Sequence, residues 1–466
     1  MTDERSARRV QAVDSAMNRA AGSRPIPGNT VLPLIDGPDT YGAMFELIEG
    51  ARRWIHLENY IIRSDAVGLR FAELLARRAR EGVRVRVLYD WLGSIGTKRG
   101  YWRSLRAAGV EVRSFNPLRP LDLVPALTRD HRKLVVADGT RAVIGGLCIG
   151  CEWTGESEPG CEPWRDTAVD IQGPAAAALD QAFAVTWGIS GGTIPEGESA
   201  ASVPPSGSAE VRVIAGEPGR ERVYRVIEQL TAGSLERLWI TDAYLVAPAR
   251  LFLALRDAAS DGVDVRLLVP GSSDIPLVRN VTRIGYRELL RAGVRIFEWD
   301  GPMLHAKSVT ADQRWVRVGS SNINPASLIG NYELDVLVED PALAEALEGQ
   351  FRRDVSRSRE VSRRRVRGPQ RISARLPSAL THLEPEHPLP PARHGRREIR
   401  QRAALALRTV ASGARRSLFG PMSLVLVVLA ALFLVLPRAT AYVFAVICIW
   451  LALGAAREAF RRRADR

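Results

Sequence analysis

The feature that most restricts what this chain can fold into is that its sequence runs through the same blocks twice. The first half reads WIHLENYII, AREGVRVRVLYD, LRAAGVEVRSF, HRKLVVAD, VIGGLCIG and WRDTAVDIQGP, in that order. The second half reads LWITDAYLV, ASDGVDVRLLVP, LLRAGVRIFEW, HAKSVTAD, VRVGSSNIN and NYELDVLVEDP. Six blocks in matching order mark an internal duplication of about 170 residues. Each copy alternates strands and helices. VRVRVLYD and VDVRLLVP carry the β-branched enrichment of strands, while FAELLARRAR and LFLALRDAA have helical spacing. Gly82 and Gly262 stand where a helix hands over to a strand, a place for left-handed backbone. The expected fold class is therefore α/β: two duplicated α/β sandwich lobes related by a pseudo-twofold axis, each with a largely buried mixed sheet.

The duplication also sets the expected domain limits. Residues 1–29 form a charged N-terminal segment, 30–190 the first lobe and 211–352 the second. Between the lobes, residues 191–210, GGTIPEGESAASVPPSGSAE, read as a Gly, Pro and Ser linker. A basic, Pro-rich stretch follows at 353–416 and is expected to be extended or disordered. The N-terminal MTDERSARRVQAVDSAMNRA has no apolar core and is not a signal peptide.

The C-terminus is different in kind. SLFGPMSLVLVVLAALFLVLP and ATAYVFAVICIWLALGAA carry no charge and are separated only at Pro437 and Arg438. Each is close to the roughly 20 apolar residues that span a hydrocarbon core as a helix. Residues 417–457 are therefore expected to form a transmembrane helical hairpin, with a basic tail at 458–466. Arg415 and Arg416 precede it and Arg457, Arg461, Arg462 and Arg463 follow it, so the positive-inside tendency puts both flanks on the cytoplasmic side. The expected location is the inner (cytoplasmic) membrane, with the lobes facing the cytoplasm. The net charge of +13 points to an anionic partner. Much of the basic excess lies in the tail, which favours an anionic membrane, and no nucleic acid is expected as partner. Four cysteines are too few for a disulfide framework. Cys148, Cys151 and Cys161 lack the fourth ligand of a closed metal site, so neither a metal nor any other cofactor is expected.

The repeated chemistry lies in His131, Lys133 and Asp138, matched by His305, Lys307 and Asp312. The chain has 65 Lys plus Arg, yet lysine occurs only at Lys98, Lys133 and Lys307. A background so rich in Arg that keeps Lys at both motif positions implies a need for a compact ammonium there. Two imidazoles and two ammonium groups brought to one cleft suit displacement at a phosphodiester. One imidazole attacks phosphorus, the other protonates the leaving alkoxide, and the ammonium groups stabilise the charge.

HRKLVVAD with GGLCIG, and HAKSVTAD with GSSNIN, resemble the paired HxKxxxxD signatures of the phospholipase D superfamily. LYDWLGS, the paired glycines and WRDTAVDIQGPA are most similar to bacterial cardiolipin synthases. The resemblance covers most of residues 30 to 350. It implies His131 and His305 as nucleophile and acid/base, and Lys133 and Lys307 as phosphate binders with Ser320 and Asn322 assisting. It further implies Asp166 and Glu333 as the groups that orient the imidazoles, and Asp138 and Asp312 as braces of the motif loops. Cys148 stands where such synthases usually have Asn, and a thiol is a weak hydrogen-bond partner beside an amide.

The implied activity is a phosphatidyltransferase. It moves a phosphatidyl group through a phosphohistidine to the hydroxyl of phosphatidylglycerol, with phosphatidylglycerol or phosphatidylethanolamine as the phospholipid substrates. Water as acceptor would make the same site a phospholipase D releasing phosphatidic acid. A nuclease or other phosphodiesterase of the superfamily, and a non-catalytic anionic-lipid-binding membrane scaffold, are the remaining readings. The loop LRPLDLVPAL, at 118–127, is apolar enough either to touch acyl chains or to pack in the ordinary way.

Overall fold

The computed structural model describes residues 14–117, 128–155, 163–198, 202–272 and 282–362. These fall within one compact unit, Met1–Gln370. The expected membrane hairpin, the apolar loop at 118–127, Cys161 and most of the basic Pro-rich stretch lie outside the described residues. No helix among the described residues is long and apolar enough to cross a membrane.

The first half contributes seven strands: β1 (Ile26–Ile35), β2 (Trp54–Asn59), β3 (Arg84–Asp90), β4 (Glu111–Phe115), β5 (Lys133–Ala137), β6 (Arg141–Gly145) and β7 (Thr167–Gln172). The second contributes β8 (Ala209–Gly216), β9 (Arg237–Thr241), β10 (Asp264–Pro270), β11 (Arg295–Trp299), β12 (Ser308–Ala311), β13 (Trp315–Gly319), β14 (Glu333–Glu339) and a short β15 (Ser358–Glu360). All belong to one 15-stranded sheet, ordered β15-β11-β10-β9-β12-β13-β14-β8-β1-β7-β6-β5-β2-β3-β4. Read outward from the central β8–β1 contact, the two wings have the same strand order, which is the duplication made visible. β2, β3 and β4 run parallel, as do β9, β10 and β11, because helices return the chain between them. The other pairings are antiparallel, and β1 joins β8 with Ile26 opposite Val211 and Asn29 opposite Ala209. The sequence suggests two lobes; the backbone merges their sheets edge to edge.

Helices cover both faces, so the central strands read as continuous apolar runs. In KLVVA of β5, Val135 and Ala137 pack with the helices Asp36–Gly50, Ala66–Arg80 and Arg99–Ala107. Leu134 and Val136 face the opposite way, toward the helices Pro174–Ile189 and Pro341–Ser356. That second core contains Val31 and Val169 from one half and Val316 and Val336 from the other, so it fastens the halves together. Each such side chain contributes about 1.5–3 kcal/mol on burial. The N-terminal segment also ties across the molecule. Residues 14–21 are helical, with Met17, Ala20 and Ala21 buried in the core of the second half. Asp14 and Asn18 hold the buried Arg212. Gly82 and Gly262 adopt φ of +93° and +98°, the left-handed turn from helix into strand. In the linker, Glu198 is buried and paired with Arg86, which pins the segment to the first half.

Candidate active site

His131 and His305 precede β5 and β12, at the strand ends nearest the join between halves. Each is held by the opposite half. Arg165 forms a parallel bridge with Leu304, and Asp130 one with Tyr332. The main chain is pinned there: His131 N–H donates to the Tyr332 carbonyl at 2.9 Å, and His305 N–H to the Arg165 carbonyl at 2.7 Å. The residue after each bridge supplies a carboxylate. Glu333 accepts from His131 Nδ1 with both oxygens at 3.0 Å, and Asp166 Oδ2 accepts from His305 Nδ1 at 2.7 Å. A carboxylate on Nδ1 favours the proton there and leaves Nε2 as the basic nitrogen, while the Lys307 ammonium also lies 3.0 Å from His305 Nδ1. The orienting pairs are thus crossed, each half completing the other's histidine.

Both carboxylates are themselves braced. Asp166 also accepts from Trp153 Nε1 at 2.9 Å and Thr167 N at 2.8 Å. Gly146 makes this possible, because a Cβ there would lie 2.2 Å from Asp166 Oδ1. Glu333 accepts from the hydroxyls of Ser320 and Ser327. The hydroxyl of Ser320, expected to assist at the phosphate, donates to Glu333 and also lies 3.3 Å from the Leu334 carbonyl. Asn322 is buried and its Oδ1 has no partner, so its amide is uncommitted on that side.

Lys133 and Lys307 are fully buried and touch the carbonyls of His131 and His305. Burial lowers both imidazoles, and both ammonium groups push the same way on each, so the two motifs share one electrostatic environment. The facing carboxylate raises each imidazole only in part. For Asp166 and Glu333 burial acts upward, but the neighbouring imidazole and ammonium outweigh it and hold both carboxyls at about 2. Burial brings Lys307 down to about 8, and it pushes the adjacent Asp242 up to about 6. Cys148 is buried and its thiol raised by that burial, against the pull of Lys133 and Lys307. It is a neutral thiol where the second half has the Asn322 amide.

Asp138 and Asp312 lie at the far ends of β5 and β12, in the turns to the next strand. Asp138 accepts from the N–H groups of Arg52, Arg53 and Trp54, and Asp312 from those of Leu235, Glu236 and Arg237. Both have positive φ, 54° and 50°, as tight hairpin turns require. They brace the scaffold and touch neither imidazole.

Some contributors carry no signal in the sequence motifs. Tyr60 lies against His131 with ring centroids 4.9 Å apart, and Trp153, Trp164 and Tyr244 surround His305 at 5.5, 5.5 and 6.1 Å. Tyr60 and Tyr244 both come shortly after the strands β2 and β9, a loose trace that could have found them, although the strand register sets Tyr60 against Ala243. Ser327 has no such trace. Among the described residues, one group has metal-ligand spacing, Asp65, Cys151 and Glu152, with candidate atoms within 4.8 Å of one another. Glu152 is paired with Arg63, and Asp65 accepts from the N–H groups of Gly68 and Cys151. Both oxygens of Asp65 are thus committed within the protein, whereas Glu152 Oε2 is buried without a hydrogen-bond partner.

A duplicated mixed sheet with two crossed imidazole–carboxylate pairs and two buried ammonium groups defines a phospholipase D-type fold and centre. A solved phosphatidylserine synthase from Haemophilus influenzae Rd KW20 shares the fold, with TM-score 0.58 and 16% identity over 75% of this chain and 92% of that one. The family profile described as "Cardiolipin synthase, PLD-like domain" matches residues 44–157 and 226–355. Cardiolipin synthase A of Pseudomonas entomophila (strain L48) is 34% identical over 350 residues, 74% of this chain and 73% of the relative. The cardiolipin synthase A of Pseudomonas aeruginosa (strain LESB58) is 34% identical over 370 residues, 78% and 74% of the two chains. The chain belongs to the cardiolipin synthase family and is a phosphatidyltransferase of the phospholipase D superfamily.

Proposed function

We propose that the chain makes cardiolipin from two phosphatidylglycerol molecules through a phosphohistidine. The crossed pairs His131–Glu333 and His305–Asp166 carry this reading, since they prepare two imidazoles with basic Nε2 atoms for one phosphorus. One imidazole attacks phosphorus of the donor, and the phosphorus–oxygen bond to the departing glycerol breaks. The other imidazole gives its proton to that glycerol oxygen. The same imidazole then takes the proton of the acceptor's hydroxyl as that oxygen attacks phosphorus. The phosphorus–nitrogen bond breaks, cardiolipin leaves and the histidine is restored.

Lys133 and Lys307, with the side-chain N–H of Asn322 as a further donor, hold the non-bridging oxygens, and Asp166 and Glu333 keep the imidazole tautomers. Ser320 acts through Glu333, while Asp138 and Asp312 hold the scaffold. The apolar runs at 417–457 and their arginine flanks support a reaction at the cytoplasmic face of an anionic inner membrane. Phosphatidylethanolamine fits as a second donor, with ethanolamine as the departing group.

Purified full-length protein in phosphatidylglycerol vesicles is expected to form cardiolipin and glycerol one to one, and His131→Ala or His305→Ala to abolish this. Phosphatidic acid as the main product would overturn the transferase reading. Turnover by the His305→Ala protein would remove the two-imidazole scheme.

A further inference from the structure

Two buried arginines outside this scheme end at equivalent atoms. Arg165 is nearly buried, and its Nη1 donates to the main-chain carbonyl of Asp166. The same guanidinium donates from Nε to Asp354 at 3.2 and 3.0 Å, and from Nη1 to Asp36 at 3.3 Å and to Thr167 Oγ1 at 3.1 Å. Asp36 closes the ring: its carboxylate accepts Asp166 N–H at 2.9 Å and its own N–H donates to the Asp166 carbonyl at 3.1 Å. It does so in a left-handed conformation, φ +62°, that costs energy for a residue with a Cβ. In the other half-site, Arg132 Nε donates to the main-chain carbonyl of Glu333 at 3.2 Å. Its remaining nitrogens reach the carbonyls of Ala182 at 2.9 Å and Gly216 at 3.4 Å, with Glu58 at 4.0 Å.

The duplication makes this more than packing. Arg132 occupies the middle of HRK, where the second motif, HAK, has Ala306. Arg165 precedes Asp166, where Tyr332 precedes Glu333. Neither arginine has a counterpart in the other half, yet both reach the carbonyl of a histidine-orienting carboxylate. A buried guanidinium is a poor way to gain stability, because desolvation offsets most of its attraction. Two separate placements at one chemical position indicate a demand from the site.

We propose that Arg132 and Arg165 are positioning residues, one for each half-site, that hold the main chain of Glu333 and Asp166 so that each carboxylate meets its imidazole. The proposal rests on the transferase reading of this centre. The test uses the full-length protein with ¹⁵N-labelled histidine and follows each Nδ1–H signal beside steady-state kinetics. His131→Gln and His305→Gln serve only to assign the signals. Arg165→Lys is expected to shift the His305 signal alone, and Arg132→Lys the His131 signal alone. Each lowers kcat roughly 100-fold with little change in KM, as expected for a misaligned reacting group. Should Arg165→Lys fail to fold, Asp354→Asn keeps the shape and loosens the same guanidinium, with the same signal moving. Unmoved imidazole signals with unchanged kcat, or both signals moving together in either variant, overturn the proposal. The spectrum needs no turnover. A protein that released phosphatidic acid would therefore sink the proposed function while leaving this result readable.

Discussion

Exchanging each orienting carboxylate for its amide should damage the two half-sites unequally, and the hydrogen-bond inventory says by how much. Asp166 faces three donors: His305 Nδ1–H and Trp153 Nε1–H on one oxygen, and Thr167 N–H on the other. An amide has one acceptor and one donor end. With its oxygen toward His305 and Trp153, its NH₂ meets the Thr167 N–H. Turned over, its NH₂ meets the indole N–H, which cannot accept, and forces His305 to the tautomer with its proton on Nε2. Either way a buried donor is unmatched, which costs about 1–3 kcal/mol of stability. The second orientation also removes the basic Nε2, a change that lowers kcat about 10⁴-fold where a catalytic imidazole is inverted in this way.

Glu333 faces His131 Nδ1–H and two serine hydroxyls. A hydroxyl can turn and accept, so the amide of Glu333→Gln keeps its oxygen on His131 and gives its NH₂ to a serine. Only the charge is lost, about 1.4 kcal/mol, or tenfold in rate. Cardiolipin formation by both variants, thermal melts and the histidine tautomer spectrum measure this together. Glu333→Gln falling as far as Asp166→Asn, or Asp166→Asn retaining more than about a tenth of wild-type turnover, would refute the reasoning.

Three further outcomes are expected. Asp138→Ala and Asp312→Ala each leave three backbone N–H groups without their acceptor, so each should lower stability by about 2–4 kcal/mol in denaturant melts. Turnover per folded molecule should change far less. Asn322→Ala should cost kcat about 10- to 100-fold by removing a charge-facing amide, whereas Cys148→Ala should change it less than about threefold, since a neutral thiol is a weak partner. Stability should fall as pH drops below about 6.5. Burial lowers both imidazoles in the folded chain, so the unfolded chain takes up protons there that the folded one refuses, and acid favours unfolding. Replacing His305 with Gln should flatten that acid slope in melts taken from pH 8 to 5, and an unchanged slope would exclude this origin.

The duplication was legible because block order, motif spacing and the scarcity of lysine are properties of the covalent chain. The carboxylates were legible as types and places, but their crossing was not. Asp166 is 35 residues from His131 and 139 from His305, yet serves the distant one. Nothing in linear order distinguishes these choices; the parallel bridges Arg165–Leu304 and Asp130–Tyr332 decide them. The merging of two sheets at β1 and β8 is hidden for the same reason, since β1 reads as an ordinary half-buried strand. Asp138 illustrates the opposite case. Its motif position suggests chemistry, but its neighbour Gly139, at φ +66°, marks a tight hairpin turn whose aspartate bonds to backbone. Arg132 and Arg165 were invisible in a chain so rich in arginine, because their meaning lies in what they touch.

The charges around the two histidines suit the proposed division of identical motifs into base and acid. Lys133 and Lys307 are offset by Asp166 and Glu333, whose carboxyls are held well below neutrality, while burial and both ammonium groups keep the imidazoles uncharged. Two neutral imidazoles can offer a nucleophile but no proton for the leaving group. On the proposed transfer, a phosphodiester brings one negative charge among these buried groups, and opposite charge at close range favours the protonated form of an imidazole. On that reading the substrate creates the acid it needs. Only one proton is required to balance one phosphate, so one imidazole becomes the acid and the other keeps its lone pair. Near-symmetry of the halves is then no obstacle to a directional reaction. Cys148 against Asn322, Gly146 against Ser320 and HRK against HAK are among the differences that distinguish the surroundings of the two imidazoles.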